Sequence, residues 1–159
     1  MHPISFGVVG AGWRAEFFLR IAAAAPDLFA PPLVVARNPE KARRFAATWQ
    51  CSVVPTVDEL LAPGGLDFVV TSVPWEANPQ IIRGLVDRGV PVLSETPPAP
   101  DLAALIDLWR YVEQHQGRVC VAEQYFLQPY FAAVRQVIEL GMVGTVSQAQ
   151  VSAAHGYHG

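Results

Sequence analysis

Ile4-Ser5-Phe6-Gly7-Val8-Val9-Gly10-Ala11-Gly12-Trp13-Arg14-Ala15 lies at the start of the chain, and its reading decides the fold. Residues 4–9 are apolar and β-prone and read as a strand. The strand runs directly into a glycine-rich turn, and the amphipathic stretch 13–25 reads as a helix, with Phe17, Ile21 and Ala25 on one stripe. In a strand–turn–helix unit of this kind Gly10 permits the tight turn and Gly12 lets the backbone come close to a diphosphate. Ala15 is small enough for the helix to pack closely on the strand. The free N–H groups at the helix start, with Trp13 and Arg14 beside them, then face an anion along the helix dipole. The expected ligand is the diphosphate of NAD or NADP. A turn that binds nothing, or one that takes another nucleotide-like ligand, is the alternative.

Working outward, short β-branched runs alternate with helix-length amphipathic stretches. Strands are expected at 33–36, 52–54, 66–71, 90–93 and 118–122, and helices at 40–49, 57–61, 78–88, 102–112 and 129–140. Asn78 reads as the N-cap of its helix, with Pro79 at the first helical position and Gly89 just past the end. Leu102, Leu105, Ile106, Trp109 and Val112 recur at helical spacing. Strict alternation of strand and helix predicts an α/β fold: a Rossmann-type doubly wound parallel sheet covered on both faces, with right-handed crossovers. Residues 1–122 form this domain and 123–144 a connecting helical region. Residues 145–159 begin an incomplete second α/β domain, with a strand over 145–153 as its first element.

Ligands of such a sheet lie beyond the carboxyl ends of the strands. At the end of the second strand the sequence reads Ala36-Arg37-Asn38, with no acid before Glu40. An acid there would bind a ribose 2′-hydroxyl. An arginine suits a 2′-phosphate instead, so NADP(H) is expected over NAD(H). The other strand ends read Thr71-Ser72-Val73-Pro74-Trp75, Ser94-Glu95-Thr96-Pro97 and Glu123-Gln124-Tyr125. Thr71, Ser72, Pro74, Trp75, Glu95, Thr96 and Gln124 are therefore candidate cofactor contacts. Glu95, an acid at the mouth of an apolar sheet, requires a partner.

With 11 Lys+Arg against 14 Asp+Glu and no run of either sign, the chain offers no basic surface for nucleic acid. No apolar run is long enough to span a membrane, and the first strand leaves no room for a secretory leader, so a cytoplasmic location is expected. Cys51 and Cys120 lack metal-ligand spacing and are expected as buried free thiols. His155 and His158 read as exposed tail residues and His115 as a helix-end residue, so no metal site is expected.

Taken together, these motifs resemble the Gfo/Idh/MocA oxidoreductases. The resemblance rests on Gly10-Ala11-Gly12-Trp13-Arg14-Ala15, on Arg37-Asn38-Pro39-Glu40-Lys41-Ala42, and on Gly89-Val90-Pro91-Val92-Leu93-Ser94-Glu95-Thr96-Pro97. Glu123-Gln124-Tyr125 and Glu139-Leu140-Gly141, followed by Val143-Gly144-Thr145-Val146, extend it over nearly the whole chain. It implies a cofactor-binding Rossmann domain followed by a second domain that binds a small-molecule substrate and mediates homo-oligomerisation. It also implies hydride transfer between NAD(P) and a sugar-like or cyclitol-like alcohol or carbonyl. Two positions depart from the family pattern. Its Glu-Lys-Pro reads Glu95-Thr96-Pro97, so a neutral hydroxyl stands where an ammonium normally assists proton transfer. An arginine often found two residues after Gln124 is Phe126. Tyr125 is the remaining candidate for acid–base work. A non-catalytic cofactor-binding or sensor protein is the competing expectation, and little turnover is expected of these 159 residues alone.

Overall fold

The structure, a computed structural model, describes residues 2–152. These divide between Ala122 and Glu123 into two compact units. The first unit is a parallel six-stranded sheet in the order β3-β2-β1-β4-β5-β6. Its strands are β1 (Phe6–Val9), β2 (Leu33–Val35), β3 (Val53–Val54), β4 (Phe68–Thr71), β5 (Val92–Ser94) and β6 (Val119–Val121). The helices between them are α1 (Ala15–Ala24), α2 (Pro39–Trp49), α3 (Val57–Leu61), α4 (Asn78–Val86) and α5 (Leu102–Gln114). The expected elements of this unit are all present, mostly with shorter strands. The strand order reverses between β1 and β4, and the carboxyl end of that pair is where this architecture opens a crevice.

The sheet is central because its strands are apolar on both faces: all of β1 is buried, as are Val34, Val69, Val70 and Val92. One core cluster joins Phe6, Val8, Ala15, Leu19, Ala22 and Phe45. The other joins Val9, Leu60, Ile82, Leu85 and Leu108. In α1 the buried stripe is Ala15, Leu19 and Ala22, not the expected Phe17, Ile21 and Ala25. Small residues at i and i+7 let the helix sit close to the sheet. Phe17 and Ile21 are turned to solvent, where Phe17 packs on Trp13.

Two further expectations, the Asn78 cap and the buried thiols, are corrected, and the expected α5 buries little of its apolar spacing. Asn78 does not cap α4: Ala77 holds the cap position in helical conformation without a side-chain bond, and Pro79 falls second in the helix. In α5 only Leu108 is fully buried, and Leu102, Leu105, Ile106 and Trp109 face outward. Cys51 is half-buried, and burial pushes its thiol pKa up. Cys120 is exposed: β6 is the edge strand, with no strand on its far side among the described residues.

The second unit, taken by itself, holds a 3-10 turn (Tyr125–Leu127) and α6 (Pro129–Glu139). Tyr125 packs edge-on against Phe131. An open groove lies along α6, lined by Val134, Val137, Ile138, Val143 and Val146. Residues 145–152 form no strand, contrary to expectation. A strand needs a hydrogen-bonding neighbour to be stable, and the described residues of this unit contain none. Residue 153 and the histidines at 155 and 158 lie outside the described residues.

Candidate cofactor-binding crevice

Gly10 leaves β1 with φ +118, and its N–H donates to the Val35 carbonyl at 3.0 Å. A Cβ built there would lie 2.0 Å from the Ser72 carbonyl oxygen, so β1 and the end of β4 approach only through a glycine. Gly12 differs. Its φ is ordinary, and a Cβ built there meets no heavy atom within 4 Å. The fold itself places no demand for glycine at this position. Ala15 is completely buried, and α1 begins with no side-chain cap; its Phe17 N–H turns back to the Arg14 carbonyl at 3.1 Å, and the N–H groups before it can take an external acceptor. A close-approach glycine with no protein neighbour, set beside an uncapped helix start, fits a diphosphate.

The β4 and β5 ends form the adjoining wall. The Glu95 N–H donates to the Thr71 carbonyl at 2.9 Å, and the Ser72 N–H to the Val9 carbonyl at 2.8 Å. Thr71 is fully buried, Ser72 half-buried, and Pro74 and Trp75 exposed. Beneath this wall Asn78, 1% exposed, donates through Nδ2 to Ser94 Oγ at 2.9 Å. The Ser94 hydroxyl in turn donates to the Glu95 carbonyl at 2.9 Å. The chain of bonds fixes the backbone at Glu95 and Thr96. Nothing in residue spacing signals it, because Asn78 and Ser94 are ordinary residues for a helix start and a strand end.

Glu95 has the partner its depth requires. Arg14 Nε donates to Oε2 at 3.1 Å and Nη2 to Oε2 at 2.9 Å and Oε1 at 3.2 Å, with side chains 31% and 14% exposed. The guanidinium also lies 5.2 Å from the Trp13 ring and 5.3 Å from the Phe17 ring. The pair joins the start of α1 to the end of β5. Thr96 is exposed and precedes a cis peptide bond to Pro97.

On the other flank Arg37 follows β2, exposed, with no hydrogen bond or ion pair among the described residues. Asn38 accepts bonds from the Glu40 and Lys41 N–H groups, both at 3.0 Å, which commits its side-chain oxygen to capping α2. Gln124 and Tyr125 belong to the second unit. Gln124 precedes the 3-10 turn, and the Tyr125 N–H donates to Glu123 Oε1 at 3.2 Å. Among the described residues no cluster of His, Cys, Asp and Glu could hold a metal ion, and no helix is long and apolar enough to cross a membrane.

The sheet order, the switch point and the glycine cradle define a dinucleotide-binding Rossmann domain. Residues 4–123 match the family model described as an oxidoreductase family, NAD-binding Rossmann fold, and the chain belongs to that Gfo/Idh/MocA family. Over 157 residues it is 31% identical to a dTDP-3,4-didehydro-2,6-dideoxy-alpha-D-glucose 3-reductase of Streptomyces violaceoruber, covering 96% of this chain and 44% of the relative. Over 110 residues it is 33% identical to the myo-inositol dehydrogenase Hyg17 of Streptomyces leeuwenhoekii, covering 69% and 34%. The chain thus spans less than half the length of these relatives. The same fold appears in the WlbA dehydrogenase of Bordetella pertussis, solved with NADH and UDP-GlcNAcA. That match has a TM-score of 0.79 and 23% identity, and covers 90% of this chain and 44% of that one.

Proposed function

We propose that this chain is the cofactor-binding part of an NAD(P)-dependent oxidoreductase acting on a sugar-like or cyclitol-like alcohol or carbonyl. The observation that carries the reading is Gly12: a glycine the fold does not need, placed where a diphosphate needs it. Gly10, Gly12 and Ala15 shape the cradle, and the backbone at Trp13 and Arg14 supplies N–H donors. Ser72, Pro74, Trp75, Glu95 and Thr96 line the nicotinamide side; Thr71, fully buried, supports them through its carbonyl, which accepts the Glu95 N–H, and Gln124 of the second unit is the remaining candidate contact. The bound cofactor would supply a hydride donor or acceptor at its nicotinamide ring. The reductase and inositol dehydrogenase relatives support a polyhydroxylated small-molecule substrate.

Arg37 supports a preference for NADP(H). It is exposed and unpaired among the described residues at the end of β2, where a guanidinium can fork onto a 2′-phosphate. Asn38 and the start of α2 stand beside it. Thr96 carries no charge to move a proton at neutral pH, so the acid–base group comes from Tyr125 or from outside these residues. The same threonine favours a second reading, a cofactor-binding or sensor protein without turnover. We expect a cytoplasmic protein that forms homo-oligomers through a second domain.

Calorimetric titration with NADPH and NADH, on the native chain and on Gly12→Val, tests the assignment. Binding by the native chain that Gly12→Val abolishes without a loss of melting temperature supports it. Equal binding by both proteins overturns the cradle. Tighter NADH than NADPH overturns the role of Arg37. Sugar or inositol oxidation by a longer protein carrying this chain, or its absence, separates the enzyme from the sensor.

A further inference from the structure

We propose that the Arg14 side chain is a positioning and charge-neutralising group rather than a cofactor ligand: it cancels the Glu95 carboxylate so that the glycine loop can accept a diphosphate. The inference rests on the dinucleotide reading. Glu95 stands at the end of β5, two strand spacings from the Gly10 turn, about 10 Å at the usual separation of strands. Its side chain is only 14% exposed, so solvent screens it poorly. A bare carboxylate at that distance would oppose the approach of a dianion. One edge of the Arg14 guanidinium, Nε and Nη2, is turned to Glu95, while the Trp13 and Phe17 rings lie 5.2 and 5.3 Å from its carbon. That edge is therefore committed within the protein. Arg14 is also two residues past Gly12, so the neutralised acid and the diphosphate cradle are held by one turn of backbone.

Three proteins and one probe test this: native, Arg14→Ala and Arg14→Ala/Glu95→Gln, each titrated with NADH. Arg14→Ala should weaken binding about tenfold or more at low salt, because it uncovers a charge. That loss should shrink as salt rises from about 10 mM to about 1 M, where the screening length falls from about 30 Å to about 3 Å. The double variant has the native net charge and should recover most of the lost affinity. A double variant as weak as Arg14→Ala would mean that the Arg14 side chain touches the cofactor directly, and would overturn the proposal. So would a loss that ignores salt, as a purely structural defect would give, or no loss at all. If Arg14→Ala does not fold, Glu95→Gln carries the test with ADP, which has a diphosphate and no nicotinamide riboside. The freed guanidinium should tighten ADP binding, and unchanged or weaker binding overturns the proposal. Failure of the native chain to bind NADH or NADPH removes the dinucleotide reading itself, a result distinct from all of these.

Discussion

The glycine loop and the α5–β6 edge lie in the same unit and obey different rules. Around the loop, contacts are specific: Gly10 answers to the Ser72 carbonyl, Arg14 to the Glu95 carboxylate and, at the start of α4, Asn78 to the Ser94 hydroxyl. At the edge, Leu102, Leu105, Ile106 and Trp109 are apolar, yet they are 70%, 39%, 42% and 62% exposed while Leu108 on the same helix is buried. In one region identity is dictated by contact geometry. In the other, helical spacing is kept while the contacts it suggests are not made. Substitutions should therefore separate the regions by size of effect.

The largest effect is expected at Gly10. Gly10→Val places a Cβ 2.0 Å from a backbone oxygen that cannot move aside without breaking the β1–β4 approach, at a φ that L-residues avoid. A loss of about 4 kcal/mol or more in chemical denaturation, or no soluble fold, is expected. Gly12→Val in the same turn should stay within about 1 kcal/mol of native stability. Equal destabilisation by the two would erase the distinction between a glycine kept for the fold and one kept for a ligand.

Leu108→Ala comes next. The side chain is 3% exposed in the cluster with Ile82 and Leu85, and the change should cost about 2–5 kcal/mol by thermal or urea unfolding. Asn78→Ala should follow at about 1–3 kcal/mol, since it leaves Ser94 without its buried donor. A result within about 0.5 kcal/mol for Asn78→Ala would mean that the Asn78–Ser94–Glu95 chain does not hold the β5 end.

This ordering explains what was legible in the sequence. The doubly wound parallel sheet and the strand–glycine–helix turn could be read because each rests on local rules: alternation of elements forces parallel crossovers, and such a turn has few geometries. The need of Glu95 for a partner was readable from its depth. That the partner is Arg14, 81 residues away, was not, because side-chain pairing across a sheet leaves no periodic trace. The buried stripe of α1 was misread for a related reason. Hydrophobicity ranks Phe17 and Ile21 above Ala15 and Ala22, whereas close helix–sheet packing favours the small residues. The strand expected over 145–153 was drawn from a partly alternating pattern, which supplies no hydrogen-bonding neighbour.

The smallest effect is the most diagnostic for the edge. Leu105→Ser and Trp109→Ser alter apolar side chains that protein covers only in part, so each should change stability by no more than about 0.5 kcal/mol. A cost near that of Leu108→Ala would show that the stripe is covered in solution. Its dependence on protein concentration would then say whether a second copy of the chain provides the cover. A negligible cost would leave α5 anchored through Leu108, with Tyr111 and Val112 beside it, and its hydrophobic spacing would be a property of the helix surface rather than of the core.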